Sequence, residues 1–145
     1  MGCIVMRERR PAKEDQEDMA MKILMLKLML NGSNIFSYDR VDYLKYDNCY
    51  NDNITGKVRY FLMHKALNQS GRHIFYSMCN WGQEQSWEWA GPLANSWRTT
   101  GDIRDSWASF TAILEKQVGL EVYAGKGGWN DPDMLEIGNG GMKFH

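Results

Sequence analysis

The stretch Val41-Asp42-Tyr43-Leu44-Lys45-Tyr46-Asp47-Asn48-Cys49-Tyr50 decides how the chain is read. It opens as an apolar, aromatic run and closes in polar groups. Val41, Tyr43 and Leu44 suit a buried strand, because β-branched and aromatic side chains pack well on a pleated surface. Lys45, Asp47 and Cys49 fall at alternate positions, so an extended backbone puts their side chains on one face. A cation, a carboxylate and a thiol at a strand end describe either a chemical site or a strand whose last residues are solvated. Spacing alone leaves both open.

The sequence after this stretch alternates strand and helix patterns. Asn51 to Thr55 reads as a loop. Lys57 to about Gln69 reads as an amphipathic helix with Val58, Phe61, Leu62, Ala66 and Leu67 on its inner side, and Gly71 supplies a left-handed stop. His73 to about Cys79 is the next strand, ending in Asn80-Trp81-Gly82. Trp87 to Asn95 is a short helix or irregular piece, disturbed by Gly91-Pro92. Ser96 to Thr99 is a short strand. Asp105 or Ser106 can cap a helix running to Val118, with Trp107, Phe110, Ile113 or Leu114, and Val118 at helical spacing. A last strand is expected near Glu121 to Ala124, before the glycine-rich segment Gly125 to Met134.

Polar strand ends therefore recur at Asp47, Asn80, Asp102 and Asp133, at intervals of roughly 30 residues, the size of one unit of an eight-fold β/α barrel. Alternating units argue for parallel strands with crossover helices. The expected fold class is α/β, a partial (β/α)8 TIM barrel of about four units, with its chemistry at the carboxyl ends of the strands. A doubly wound sheet would alternate in the same way, but no glycine fingerprint opens the helices.

Composition narrows the function classes. The chain has 145 residues, 17 basic and 18 acidic, so no charge excess points to nucleic acid. Residues 1 to about 18 are charged and irregular. Met19 to Leu30 favours a helix by propensity, but Lys22 and Lys27 make it too charged for a membrane span, and no small-residue cleavage site marks a signal peptide. The three cysteines, Cys3, Cys49 and Cys79, form neither a CxxC pair nor a zinc pattern. Sequons at Asn31, Asn53 and Asn68 hint at a secretory route.

Asp47 and Asp102 are the best pair for acid–base or nucleophilic work. A retaining glycosidase uses two carboxyl groups about 5–5.5 Å apart, one attacking the anomeric carbon and one protonating the leaving oxygen. Lys45 would keep Asp47 ionised. Arg98, four residues before Asp102, suits a clamp on a sugar hydroxyl or on a carboxylate. A lone strand-end Asp is more often structural, Lys45 alone is more often a surface residue, and Trp81 and Trp129 alone are more often packing. His64 and His73 receive no catalytic role. Asp102, Asp131 and Asp133 make a weak case for a cation site, since no His supports it. No cofactor and no metal are assigned.

Three motifs then agree: Tyr43-Leu44-Lys45-Tyr46-Asp47-Asn48-Cys49, Asn95 to Ile103 (NSWRTTGDI) and Gly127 to Leu135 (GGWNDPDML). In that order they resemble the α-galactosidases of glycoside hydrolase family 27 over about residues 41–142. The resemblance implies a β/α barrel, a retaining mechanism, Asp47 as nucleophile and Asp102 as acid/base. It implies substrate contacts from Lys45, Cys49, Asn80, Trp81, Arg98, Asp133 and Met134. Asn80 stands where many members carry Glu facing the sugar 2-hydroxyl. The partner implied is a galactose-containing saccharide, with neither nucleic acid nor membrane, in a secreted, vacuolar or lysosomal setting.

The chain also departs from the family. Members carry three further β/α units before the nucleophile strand, which residues 1–40 do not show. The cysteine equivalent to Cys49 pairs with an upstream cysteine, and only Cys3 precedes it here. Lys126 replaces a usual proline. Residues 1–40 are thus expected to be an atypical leader, partly disordered or helical, and residues 41–145 a partial catalytic barrel from the middle to later part of a family member. Three readings follow: an α-galactosidase, inactive or active as this chain; a non-catalytic fragment or partner-binding half barrel whose exposed sheet edges pair with a complementary half or with a second copy; and an α-N-acetylgalactosaminidase or β-arabinopyranosidase on the same site.

Overall fold

A computed structural model describes residues 4–6, 42–49, 51 and 53–134. The chain divides into two compact units, Met1–Cys79 and Asn80–His145.

In the first unit the elements run β1 (Ile4–Met6), β2 (Tyr43–Asp47), α1 (Gly56–Gln69) and β3 (Phe75–Cys79). Strand β2 alternates as its sequence demands: Leu44 and Tyr46 are buried, while Tyr43, Lys45 and Asp47 are half-buried on the other face. Strands β2 and β3 pair in parallel, from Tyr43 opposite Phe75 to Asp47 opposite Cys79. Parallel neighbours need a crossover, and α1 provides it. Tyr43 and Phe75, side by side in this register, stack at 5.6 Å between ring centroids. Gly71 stands just beyond α1 at φ +71°, as the sequence suggests.

Two expectations need correction here. The amino-terminal segment is irregular in the sequence reading, yet Ile4–Met6 pairs antiparallel with β2, opposite Tyr46, Lys45 and Leu44. That pairing takes up a ladder edge that the sequence reading leaves open. The helix also turns its buried face: Leu67 is inside as expected, but with Gly56, Arg59, Tyr60 and Met63, whereas Val58, Phe61 and Leu62 are exposed and Ala66 is half-buried. Arg59 and Tyr60 can be inside because their apolar bodies pack, and Arg59 also places its Nε and Nη2 on the Ile54 carbonyl and Asn48 Oδ1. The Tyr60 ring meets Tyr46 edge-on at 5.0 Å, and the Tyr76 hydroxyl donates to the Tyr60 carbonyl. Burial pushes both the Tyr60 and Tyr76 phenols well above the ordinary tyrosine range. The expected helix at residues 19–30 lies outside the described residues. Among those described, no helix is long and apolar enough to cross a membrane.

The second unit holds a 3-10 turn at Gln83–Glu88, β4 (Ser96–Arg98), α2 (Trp107–Glu115), a second 3-10 turn at Glu121–Tyr123, and β5 (Trp129–Asp131). Strands β4 and β5 are parallel, with Ser96, Trp97 and Arg98 opposite Trp129, Asn130 and Asp131. The last strand is thus later than the expected Glu121–Ala124. That stretch is β-prone, but it closes on itself through Tyr123 N–H to the Leu120 carbonyl and Ala124 N–H to the Glu121 carbonyl. Trp97 is the centre of this unit's core, fully buried. Its indole N–H donates to Asn130 Oδ1 at 2.7 Å, and Asn130 donates on to the Leu120 carbonyl at 2.6 Å. Gly128 lies so close that an added Cβ would sit 2.9 Å from the Trp97 ring. Helix α2 begins at the expected cap, with Ser106 Oγ accepting from Ser109 N–H. It ends at Glu115 rather than Val118. Of its proposed inner residues only Ile113 is buried; Trp107, Leu114 and Val118 are exposed.

Candidate active site

In the first unit, Asp47 is the last residue of β2, at the carboxyl end of a parallel strand. The chain turns immediately after it. Asn48 N–H and Cys49 N–H both donate to Asp47 Oδ1, at 2.7 and 3.2 Å. Among the described residues no donor reaches Oδ2. One oxygen is therefore fixed by two amide dipoles. Lys45 shares the face but makes no ion pair with Asp47 among the described residues. Residues two apart on a strand are separated by about 6.5 Å along it, which explains the gap. Cys49 lies past the strand, in the turn, so the strict alternation read from the sequence stops at Asp47. Cys49 is disulfide-bonded, and Cys79 is a buried free thiol.

The second unit gathers Arg98, Asp102 and Asp133. Arg98 is the last residue of β4, and its side chain is 3% exposed. Its Nη2 donates to Asp102 Oδ1 at 3.1 Å and to Asp133 Oδ2 at 2.9 Å. Of the two roles read for Arg98 in the sequence, the protein-internal one is realised: the guanidinium steadies carboxylates. Asp133 Oδ2 also accepts from Ile103 N–H at 2.9 Å, and Oδ1 accepts from Met134 N–H at 2.8 Å. Asp133 thus ties the segment after β5 to the residue that follows Asp102. The Asp102 side chain itself is 79% exposed, and among the described residues only its Oδ1 is engaged. Asp102, Asp131 and Asp133 do not converge as a cation site. Among the described residues no group of three His, Cys, Asp or Glu is placed to hold a metal.

Asn80 and Trp81 follow β3. The Asn80 amide donates to the Gln83 carbonyl at 2.6 Å, while its buried Oδ1 has no hydrogen-bond partner among the described residues. An unmatched buried acceptor carries a desolvation cost and is common where a ligand donor completes the site. Trp81 and Asp133 both adopt left-handed backbone, at φ +60° and +93°. Asn53, Glu84 and Gln85 share this region, which non-glycine residues uncommonly adopt. Gly82 is required where it stands: at φ +75° its N–H donates to the Arg98 carbonyl, and a Cβ would lie 2.1 Å from the Thr99 carbonyl oxygen.

Comparison with known proteins fits this picture. The family model described as alpha galactosidase A matches residues 26–145. The chain belongs to that family. It is 55% identical over 115 residues to alpha-galactosidase 3 of Arabidopsis thaliana, covering 79% of this chain and 26% of that protein. It is 62% identical over 102 residues to an alpha-galactosidase of Cyamopsis tetragonoloba, covering 70% and 25%. Among solved structures, the alpha-galactosidase of Saccharomyces cerevisiae with raffinose superimposes with a TM-score of 0.72 at 39% identity, over 76% of this chain and 30% of the other. The chain thus spans about a quarter of the length of these curated relatives. As an alpha galactosidase A family chain it carries part of a (β/α) barrel, with parallel strand pairs β2–β3 and β4–β5.

The sequence reading missed Asn48, whose amide holds the Asp47 carboxylate. The Asp-Asn pair at a strand end, followed by Asn51, is a turn signal that would have found it. It also missed Asn130, for which no signal is visible short of knowing that Trp97 needs an acceptor.

Proposed function

We propose that this chain supplies the catalytic pair of a retaining α-galactosidase, which hydrolyses terminal α-linked galactose. Asp47 is the nucleophile and Asp102 the acid/base. The observation that carries the reading is the state of Asp47: one oxygen held by two amides, the other unengaged among the described residues, at the carboxyl end of a parallel strand in this family. In the first step Asp47 Oδ2 attacks the anomeric carbon while Asp102 gives its proton to the departing glycosidic oxygen. The carbon–oxygen bond to the leaving group breaks and a galactosyl ester forms on Asp47. In the second step Asp102, now a carboxylate, takes a proton from water as the water oxygen attacks the same carbon and the ester bond from that carbon to Asp47 Oδ2 breaks. Galactose leaves with retained configuration, and both carboxyl groups return to their starting states. Lys45, Cys49, Asn80, Trp81, Arg98, Asp133 and Met134 are assigned to the sugar pocket, with Asn80 Oδ1 accepting from a galactose hydroxyl. A secreted, vacuolar or lysosomal setting goes with this reading.

The test is release of nitrophenol from a nitrophenyl α-galactoside by the purified chain. Asp47→Asn should lower kcat by about 10⁴-fold or more, the scale seen when a nucleophile is removed. A variant that still turns over at the parent rate refutes the assignment.

A further inference from the structure

Arg59 takes no part in the site described above, yet it is 5% exposed. A buried guanidinium needs a reason, because desolvating a charge is unfavourable unless its hydrogen bonds are replaced. Arg59 sits on α1. Its Nε donates to the Ile54 carbonyl at 3.0 Å, and its Nη2 donates to Asn48 Oδ1. Its guanidinium carbon lies 5.9 Å from the centre of the Tyr46 ring and 5.3 Å from that of Tyr60, within cation–π range.

The two residues it grips bracket one connection. Asn48 is the first residue after Asp47, is 3% exposed, and gives its own N–H to Asp47 Oδ1. Its carbonyl accepts from the Asn51 side chain at 3.1 Å, and Ile54 N–H returns to the Asn51 carbonyl at 2.9 Å. Ile54 lies just ahead of α1. The planar fork of arginine reaches both ends of this connection at once, which a lysine ammonium does not do from one point.

We propose that Arg59 is a positioning residue for Asp47, acting through Asn48. By fixing the Asn48 side chain it fixes the turn whose two N–H groups hold Asp47 Oδ1, and so sets where Oδ2 points. The proposal rests on the reading of Asp47 as nucleophile. A residue that merely fills the core would be replaceable by an apolar side chain of similar length without disturbing that turn.

The experiment uses the full 145-residue chain and four variants: Arg59→Met, Arg59→Lys, Asn48→Ala and the Arg59→Met/Asn48→Ala double. Amide hydrogen exchange is followed by NMR, and kcat and KM are measured on a nitrophenyl α-galactoside. In Arg59→Met the Asn48 and Cys49 amides should exchange at least about tenfold faster, while those of Leu44 and Tyr46 keep their rates, since local opening is separable from strand opening. On the enzyme, kcat should fall about 10- to 100-fold with KM changed less than about threefold, as a small misplacement of a reacting group produces. Arg59→Lys should show the same defect, lessened at most in part. Asn48→Ala should reproduce the defect, and the double variant should be no worse than either single one. Asn48→Ala leaves Arg59 with the two rings and the Ile54 carbonyl, so it decides the matter if Arg59→Met does not fold. Parent-like exchange at Asn48 and Cys49 in a folded variant overturns the proposal, as does a parent-like kcat. A parent chain with no turnover overturns the galactosidase reading instead, and the exchange rates still decide the role of Arg59.

Discussion

Asp47 is gripped by its own turn: two neutral N–H groups from the next two residues converge on one oxygen of a half-buried carboxylate. Asp102 is held by a charge, the guanidinium of Arg98, which is itself buried and shared with Asp133, while the Asp102 side chain stands in solvent. The difference matches the proposed division of labour. A nucleophile must be aimed, which short-range contacts to one oxygen accomplish. An acid/base must exchange its proton with water in each cycle, which exposure permits. Environments that treat two carboxylates differently are the usual way to obtain two roles from one side-chain type. The comparison also separates local from distant dependence. The Asp47 grip is built within a few residues, whereas Arg98 joins segments far apart in sequence.

That separation can be broken most severely at Arg98. Arg98→Met should destabilise the chain by about 3–5 kcal/mol, because it strands the Asp133 carboxylate, 9% exposed, without its cation. Asp102→Asn removes the other half of the same ion network, but from an exposed side chain, and should change stability by less than about 1 kcal/mol. Urea titrations of the two variants decide the point. Equal losses would mean that the exposed pair matters as much as the buried one. Adding Asp133→Asn to Arg98→Met should recover part of the loss, since no charge is then buried alone.

How much of this was legible in the sequence follows the same division. The period-two alternation of Tyr43 to Asp47 identifies both the strand and the carboxylate at its end, because a strand's facing is a local property. Ser106 as a cap and Gly71 as a stop are local too, and both stand where expected. The inner face of α1 is not local. Hydropathy puts Val58, Phe61 and Leu62 inside, but the core took Tyr60, whose ring packs on Tyr46, and Arg59, whose Nε and Nη2 reach Ile54 and Asn48. β5 was misplaced for a related reason. The residues Glu121 to Ala124 have strand propensity, but Trp129 to Asp131 have the partner, β4. The strand at Ile4–Met6 is invisible without knowing that an edge of β2 is there to receive it. For the link from Arg98 to Asp133 both residues are visible as candidates, but their pairing is not, because it joins segments far apart in sequence.

The first unit should also lose stability under alkali. Tyr60 and Tyr76 of the first unit are kept protonated by burial, above the ordinary tyrosine value of 10.0. In the unfolded chain they ionise near that value. Above it the unfolded state binds fewer protons than the folded state, so stability is present in full below about pH 10 and falls as pH rises. One unit above the ordinary value, each tyrosine should remove about 1 kcal/mol. Urea midpoints between pH 9 and 11 should fall in the parent and fall less steeply in Tyr60→Phe. An unchanged slope in that variant would place the alkaline loss elsewhere.

The smallest effect concerns the helix starts. Helix α2 opens on Ser106, whose hydroxyl oxygen accepts from Ser109 N–H at 3.2 Å. Helix α1 opens on Thr55, whose side chain makes no capping hydrogen bond. Both residues are good caps by type, so composition alone predicts similar losses on truncation, and the geometry predicts dissimilar ones. Ser106→Ala should lower stability by about 1 kcal/mol, a shift of about 2–4 °C in Tm for a chain of this size. Thr55→Ala should shift Tm by less than about 1 °C, since no bond is lost and the helix start relies on Arg59 N–H to the Thr55 carbonyl, which alanine retains. Equal shifts would show that Thr55 caps α1 in solution. The first unit would then secure its helix, like its carboxylate, with a short-range contact to backbone N–H groups.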